Sequence, residues 1–193
     1  VDIARSPTDR RGTMADVLTL GLVASIAGVF GLLVGSFLNV VVSRVPAGLS
    51  VVTPRSRCPQ CESSIAARDN IPIASWIVLR GRCRNCGTAI SPLYPAVEAI
   101  TAVAFATVAL VAAPPVLESS DPVSSVGHTV FLIGLLWFAA ASVALTIIDL
   151  QTHRLPNAIV YPTAGVAVVS AAGLALAEGD LAVLIRAGLG ALI

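Results

Sequence analysis

The stretch VLTLGLVASIAGVFGLLVGSFLNVVVS, from Val17 to Ser43, contains no Asp, Glu, Lys or Arg. A helix needs about 20 apolar residues to cross the hydrocarbon core of a bilayer, where backbone polar groups must be satisfied internally. Val17 to Ser43 is long enough, and three further runs resemble it: Ala99 to Leu117, Pro122 to Ile148, and Leu155 up to Glu178. Leu181 to Ile193 is apolar apart from Arg186 but too short for a span. The composition agrees, with 56% hydrophobic and 12% charged residues and a mean hydropathy of +0.89, far from the balance of a soluble domain. The expected fold class is an all-α polytopic membrane protein with four complete transmembrane helices and the start of a fifth. The last run, lacking a polar flank, predicts a C-terminally incomplete chain. Residues 1–16 read as a polar tail and 17–43 as the first transmembrane helix, and the single methionine, Met14, is a candidate start of translation.

The polar exception is the insert 44–93, which holds all four cysteines and seven of the twelve basic residues, every one of them Arg. Such an arginine excess in a short loop predicts a cytoplasmic location by the positive-inside rule. Alternation then puts Asp149 to Arg154 on the cytoplasmic side, and Glu118, Asp121, Glu178 and Asp180 outside. Residues 94–193 carry helices two to four and part of the fifth. The net charge of +1 gives no electrostatic support to nucleic-acid binding. The partner it implies is the lipid bilayer, and nothing in the sequence sets an oligomeric state.

Within the insert, Cys58-Pro-Gln-Cys61 and Cys83-Arg-Asn-Cys86 form two CxxC knuckles with 21 residues between them, the spacing of a zinc ribbon. Two such turns complete a tetrahedron of thiolates, a closed structural site with no open position for substrate or water. Arg57, Arg82 and Arg84 are placed to offset its negative charge, and Gly87 suits the tight turn. The competing readings are two disulfides, which the cytoplasmic location opposes, and a redox CxxC, which lacks a thioredoxin-like surrounding.

Asp149 ends the third span, and an ionisable residue at a membrane boundary is a functional candidate by default. The alternatives are an interfacial Asp paired with Arg154 or capping the next helix, whose start reads as Leu155-Pro156-Asn157. Ser36 and Asn39 on the first helix can bond a neighbouring helix. Glu98 has three readings: substrate orientation, binding of basic residues, or pairing with Arg44 or another loop arginine. His153 reads as an exposed loop residue, Trp76 as an interfacial anchor and Trp137 as helix packing, while Pro114-Pro115 ends the second span.

Four ordered stretches together resemble one family, the prepilin peptidases. They are Gly35-Ser-Phe-Leu-Asn39 through Arg44-Val-Pro46, the double CxxC insert, Tyr94-Pro95-Ala-Val-Glu98, and Asp149 followed by Leu155-Pro156-Asn157. The resemblance implies a membrane aspartyl endopeptidase that removes the leader of type IV prepilins or pseudopilins after a glycine, at the cytoplasmic face of the bacterial inner membrane. It implies Asp149 as the first catalytic aspartate, with Asn39, Arg44, Glu98, Pro156 and Asn157 as substrate-binding or structural support. It also implies N-methylation of the new N-terminus with S-adenosylmethionine as a second activity. The family's second aspartate lies in a GxGD motif that these 193 residues do not contain; Gly179-Asp180 lacks the preceding Gly-x. The chain alone is therefore expected to be inactive. Two rival readings remain: a non-catalytic scaffold of a pilus or secretion system that recruits partners through the zinc domain, and a zinc-dependent membrane enzyme, which four thiolates disfavour.

Overall fold

A computed structural model describes residues 14–190. Helix α1 spans Met14–Arg44, α2 Ala74–Val78, α3 Leu93–Ala112, α4 Pro114–Glu118, α5 Pro122–Thr152, α6 Asn157–Glu178 and α7 Ala182–Gly190. The helices α1, α3, α5 and α6 are long and apolar enough to cross a membrane. No strand occurs among the described residues, and the insert contributes only two isolated antiparallel bridges, Arg57 with Ser64 and Arg82 with Ala89. The all-helical, four-span expectation is borne out. The polar tail expected over residues 1–16 falls mostly on residues 1–13, outside the described residues, as do positions 191–193 of the last run.

Several boundaries moved, each for a local reason. α1 begins at Met14, with Asp16 in its first turn and Arg44 in its last, charges that complement the helix dipole. α3 starts at Leu93, earlier than hydropathy alone indicated, because Pro95 is tolerated in a first turn and the buried Glu98 finds a partner, described below. It ends at Ala112, before Pro114 opens α4. α5 carries Asp149 inside its last turn and continues to Thr152, where His153 takes a left-handed C-cap conformation. Gly179 does the same after α6.

α1 packs chiefly on α3, and α5 on α6, with α3 and α1 both meeting α5. In the first pair the backbones approach at glycine: a Cβ on Gly31 would lie 2.8 Å from Ala102 Cα, and one on Gly35 2.7 Å from Glu98 Cα. The second pair closes where Gly127 faces the Gly173 carbonyl and Gly134 faces Ser170. Lipid offers apolar side chains no incentive to associate, so close van der Waals approach through small residues holds membrane helices together. The tightest core gathers Leu38, Val42, Val97, Ala144, Ile147 and Ile148, with Ile159 packed against it. These residues come from the last turns of α1 and α5 and the first turns of α3 and α6. The four helix ends that carry the insert and Asp149 therefore lie at one end of the bundle.

Candidate functional site: a four-thiol centre and a free carboxylate

The two knuckles fold alike. In the first, Cys58 N–H donates to Ser63 O at 3.0 Å and Glu62 N–H to Cys58 O at 2.9 Å; in the second, Cys83 N–H donates to Thr88 O at 2.8 Å and Gly87 N–H to Cys83 O at 3.0 Å. The residue after each second cysteine is left-handed, Glu62 at φ 56° and Gly87 at φ 71°. Gly87 was legible as a turn residue, whereas Glu62 takes the same conformation against its own preference. The four Sγ atoms lie within 4.8 Å of one another, and all four cysteines are free. Cys58 Sγ and Cys86 Sγ are 3.8 Å apart. That matches the edge of about 3.8 Å in a tetrahedron with metal–sulfur bonds of about 2.3 Å. Side-chain and backbone hydrogen bonding with Ser63 lowers the Cys61 thiol to about 6, and backbone donors at Cys86 and Asn85 lower Cys83. Thiolate character of this kind is what a metal requires of a cysteine ligand. Despite a backbone donor at Thr88, burial and the three neighbouring thiols push Cys86 up to about 11, so it is proximity and the all-thiol donor set that fit the four cysteines to hold a metal ion.

The surrounding arginines do less for this centre than expected. Arg84 donates both Nε and Nη2 to Asp69, at 2.6–3.0 Å. The guanidinium beside Asp69 holds its carboxyl below the usual carboxylate range. Asp69 was missed because no local pattern links it to a residue fifteen positions away. Trp76 is engaged within the insert: its indole N–H donates to Ile90 O at 3.1 Å, and its ring lies against Gly81. Trp137 bonds Thr163 on α6 at 3.2 Å, as helix packing predicts.

The polar residues of α1 and α3 are structural ties. Asn39 Nδ2 donates to Tyr94 O at 3.2 Å and joins α1 to the start of α3. Arg44 donates to Ser50 O at 2.9 Å and Pro54 O at 2.7 Å, clamping the first loop of the insert. Glu98 is 7% exposed and pairs with no arginine; its Oε2 accepts the Ile73 N–H at 2.7 Å. Pairing of Glu98 with Arg44 is therefore overturned, because each group is already committed to backbone.

Asp149 is exposed at the end of α5, and only its backbone carbonyl is engaged, by His153 N–H at 2.8 Å. Among the described residues its carboxylate has no hydrogen bond and no ion pair, so neither pairing with Arg154 nor capping of α6 occurs. Pro156 is the N-cap of α6 and Asn157 its first residue, without a side-chain cap. A cavity of about 570 Å³ lies between the insert and the ends of α1 and α3, walled by Asn39, Arg44, Tyr94 and Glu98 but not by Asp149. The structure thus brings Asn39, Arg44, Glu98, Cys58 and Cys83 to one cleft, and leaves Asp149 with Pro156 and Asn157 on the neighbouring helix pair.

Comparison with known proteins supports the resemblance. Residues 29–112 match the bacterial peptidase A24 N-terminal domain. The resemblance to the prepilin peptidases is thereby borne out, and curated relatives extend it beyond the domain. The chain is 40% identical over 148 residues to a prepilin leader peptidase/N-methyltransferase of Myxococcus xanthus, covering 76% of this chain and 40% of that protein. It is 39% identical over 150 residues to a type 4 prepilin-like proteins leader peptide-processing enzyme of Escherichia coli, covering 68% and 51% respectively. A prepilin leader peptidase/N-methyltransferase of Neisseria gonorrhoeae is 34% identical over 174 residues, 77% of this chain and 56% of the relative. The chain therefore spans about half the length of these relatives. No solved structure gives a significant match.

Proposed function

We propose that this chain is part of a bacterial inner-membrane aspartyl endopeptidase that cleaves the leaders of type IV prepilins or pseudopilins at the cytoplasmic face, with Asp149 as one of two catalytic carboxylates. The observation that carries the reading is the state of Asp149. Of the two acidic residues that the described spanning helices carry at their insert end, Glu98 and Asp149, it is the one that packing leaves exposed and without a side-chain partner, in a chain whose relatives are named for leader removal. A carboxylate kept at a membrane boundary without a structural task is a candidate for chemistry.

In the proposed reaction one carboxylate takes a proton from water as it attacks the peptide carbonyl, while the other, protonated, donates to the leaving amine. Neighbouring like charges share one proton more readily than both ionise. Asp149 supplies one member of the pair. These 193 residues contain no GxGD motif for the other, so the 193-residue polypeptide by itself should not cleave prepilin. Asp149-dependent cleavage by that polypeptide would overturn this part of the reading.

The four thiolates are assigned to zinc as a structural ion, since a closed tetrahedron leaves no site for water. N-methylation of the new N-terminus from S-adenosylmethionine, an activity echoed in the relatives' names, is proposed for the whole protein without assigned residues. The decisive experiment is Asp149→Asn in the full-length protein, assayed for prepilin processing in membranes. Abolished cleavage with unchanged protein level and zinc content supports the reading. Processing at the unmodified rate would leave Asp149 a surface residue and favour a scaffold.

A further inference from the structure

The short helix α2 turns an apolar face away from the protein. Ser75 is buried, and Trp76 points inward to Gly81 and Ile90. Ala74, Ile77 and Val78, spaced i, i+3, i+4 and hence on one helix face, are exposed, Ile77 at 62% and Val78 at 75%. Ile71, just before the helix, is 54% exposed. In an extramembrane insert facing water such a face gains nothing, since each branched aliphatic side chain left in water forgoes about 1.5–3 kcal/mol of burial.

The tie to Glu98 fixes where this face lies along α3. The Ile73 N–H, at the start of α2, is bonded to Glu98 at 2.7 Å. Glu98 is five residues inside α3, which begins at Leu93. At a rise of about 1.5 Å per residue, that places the start of α2 about 7.5 Å along α3 from its first residue, beside Ala99, where the charge-free run of that span begins. Elements that lie in the membrane interface bury their apolar faces about 5–10 Å into the headgroup boundary. Beyond the helix, Arg80 and Arg82 are exposed, and their guanidinia have no partner among the described residues.

We propose that α2 is an interfacial anchor: Ile77 and Val78 dip into the acyl boundary of the leaflet on the insert side, and Arg80 and Arg82 meet the phosphates of anionic phospholipids there. The anchor clamps the four-thiol insert onto the bilayer surface, beside the helix ends where Asp149 lies. It rests on the membrane-spanning reading and is independent of Asp149 chemistry.

The test is photocrosslinking of the full-length protein in native membranes with p-benzoylphenylalanine. Phe37, 50% exposed on α1, reports on the spans themselves. Gln60, exposed in the first knuckle, serves as the aqueous control. The expected result is phospholipid adducts from Phe37→p-benzoylphenylalanine and from Val78→p-benzoylphenylalanine, with a yield at position 78 on the order of ten times that at position 60. Arg80→Gln with Arg82→Gln should lower the anionic-to-zwitterionic adduct ratio at position 78 by about tenfold. Lipid adducts at 37 but not at 78 would overturn the anchor while leaving the membrane reading intact, and so would protein adducts at 78, either to a second copy or to another segment. An unchanged lipid ratio in the arginine variant would overturn the anionic preference. Absence of lipid adducts at 37 would remove the membrane reading on which both depend.

Discussion

Glu98 and Asp149 lie at the same end of the helix bundle, and the structure treats them in opposite ways. Glu98, on α3, is buried and holds the insert by accepting a backbone N–H. Asp149, on α5, is exposed, and its carboxylate has no partner among the described residues. The contrast extends to the helix pairs around them. The α1–α3 pair carries polar side chains that are nearly all used, Asn39 on Tyr94, Arg44 on Ser50 and Pro54, Glu98 on Ile73. The α5–α6 pair closes on small residues and holds its acid in reserve. An acidic group near a membrane is costly unless it is bonded or working. Glu98 is the first case, and Asp149 is assigned here to the second.

The largest effect that would break the insert side of this comparison is removal of a thiolate. Cys58→Ser, at the buried ligand, should abolish stoichiometric zinc and render the insert protease-sensitive, because site formation is worth on the order of 10 kcal/mol in such domains. Metal analysis and limited proteolysis check this, and the α5–α6 hairpin should remain intact. On the other side, Asp149→Asn in the full-length protein should lower prepilin processing by about 10²- to 10⁴-fold without altering the thermal midpoint. A matching drop in stability would make Asp149 structural and erase the contrast.

Smaller effects sharpen it. Glu98→Ala leaves the Ile73 N–H without its acceptor and should destabilise docking of the insert by about 1–3 kcal/mol, read as faster hydrogen exchange over 71–79. Glu98→Gln, which keeps an acceptor, should recover most of the loss, as a substrate-contacting role for the charge would not. The smallest change concerns the two knuckles. Glu62→Gly should stabilise the insert by about 1 kcal/mol by relieving a left-handed residue, whereas Gly87→Ala should cost a similar amount. Equal and opposite shifts in thermal unfolding would establish that the knuckles are conformational copies.

Much of this was legible in the amino-acid order. Charge-free runs read as spans because the bilayer imposes a length on any helix that crosses it, and the four spans appeared at the expected places. The paired CxxC motifs read as one cluster because thiolate geometry is local to each turn, and only the meeting of the two turns needed the fold. Boundaries next to proline read less well. Hydropathy placed the start of the second span at Ala99, while Leu93 to Glu98 became helical because a long-range bond satisfied the acid that hydropathy penalised.

From sequence alone came the membrane class, the four-cysteine cluster, the candidate aspartate and the kinship, since each depends on composition or on spacing within a few residues. The tertiary structure decided which polar groups are already engaged: that Arg84 serves Asp69, that Trp76 faces inward beside an outward Ile77 and Val78, and that Glu98 is a tie while Asp149 stands free. Those outcomes turn on which backbone groups and side chains meet across separate helices, and a hydrogen bond between residues 25 or 55 positions apart leaves no periodic trace in the chain.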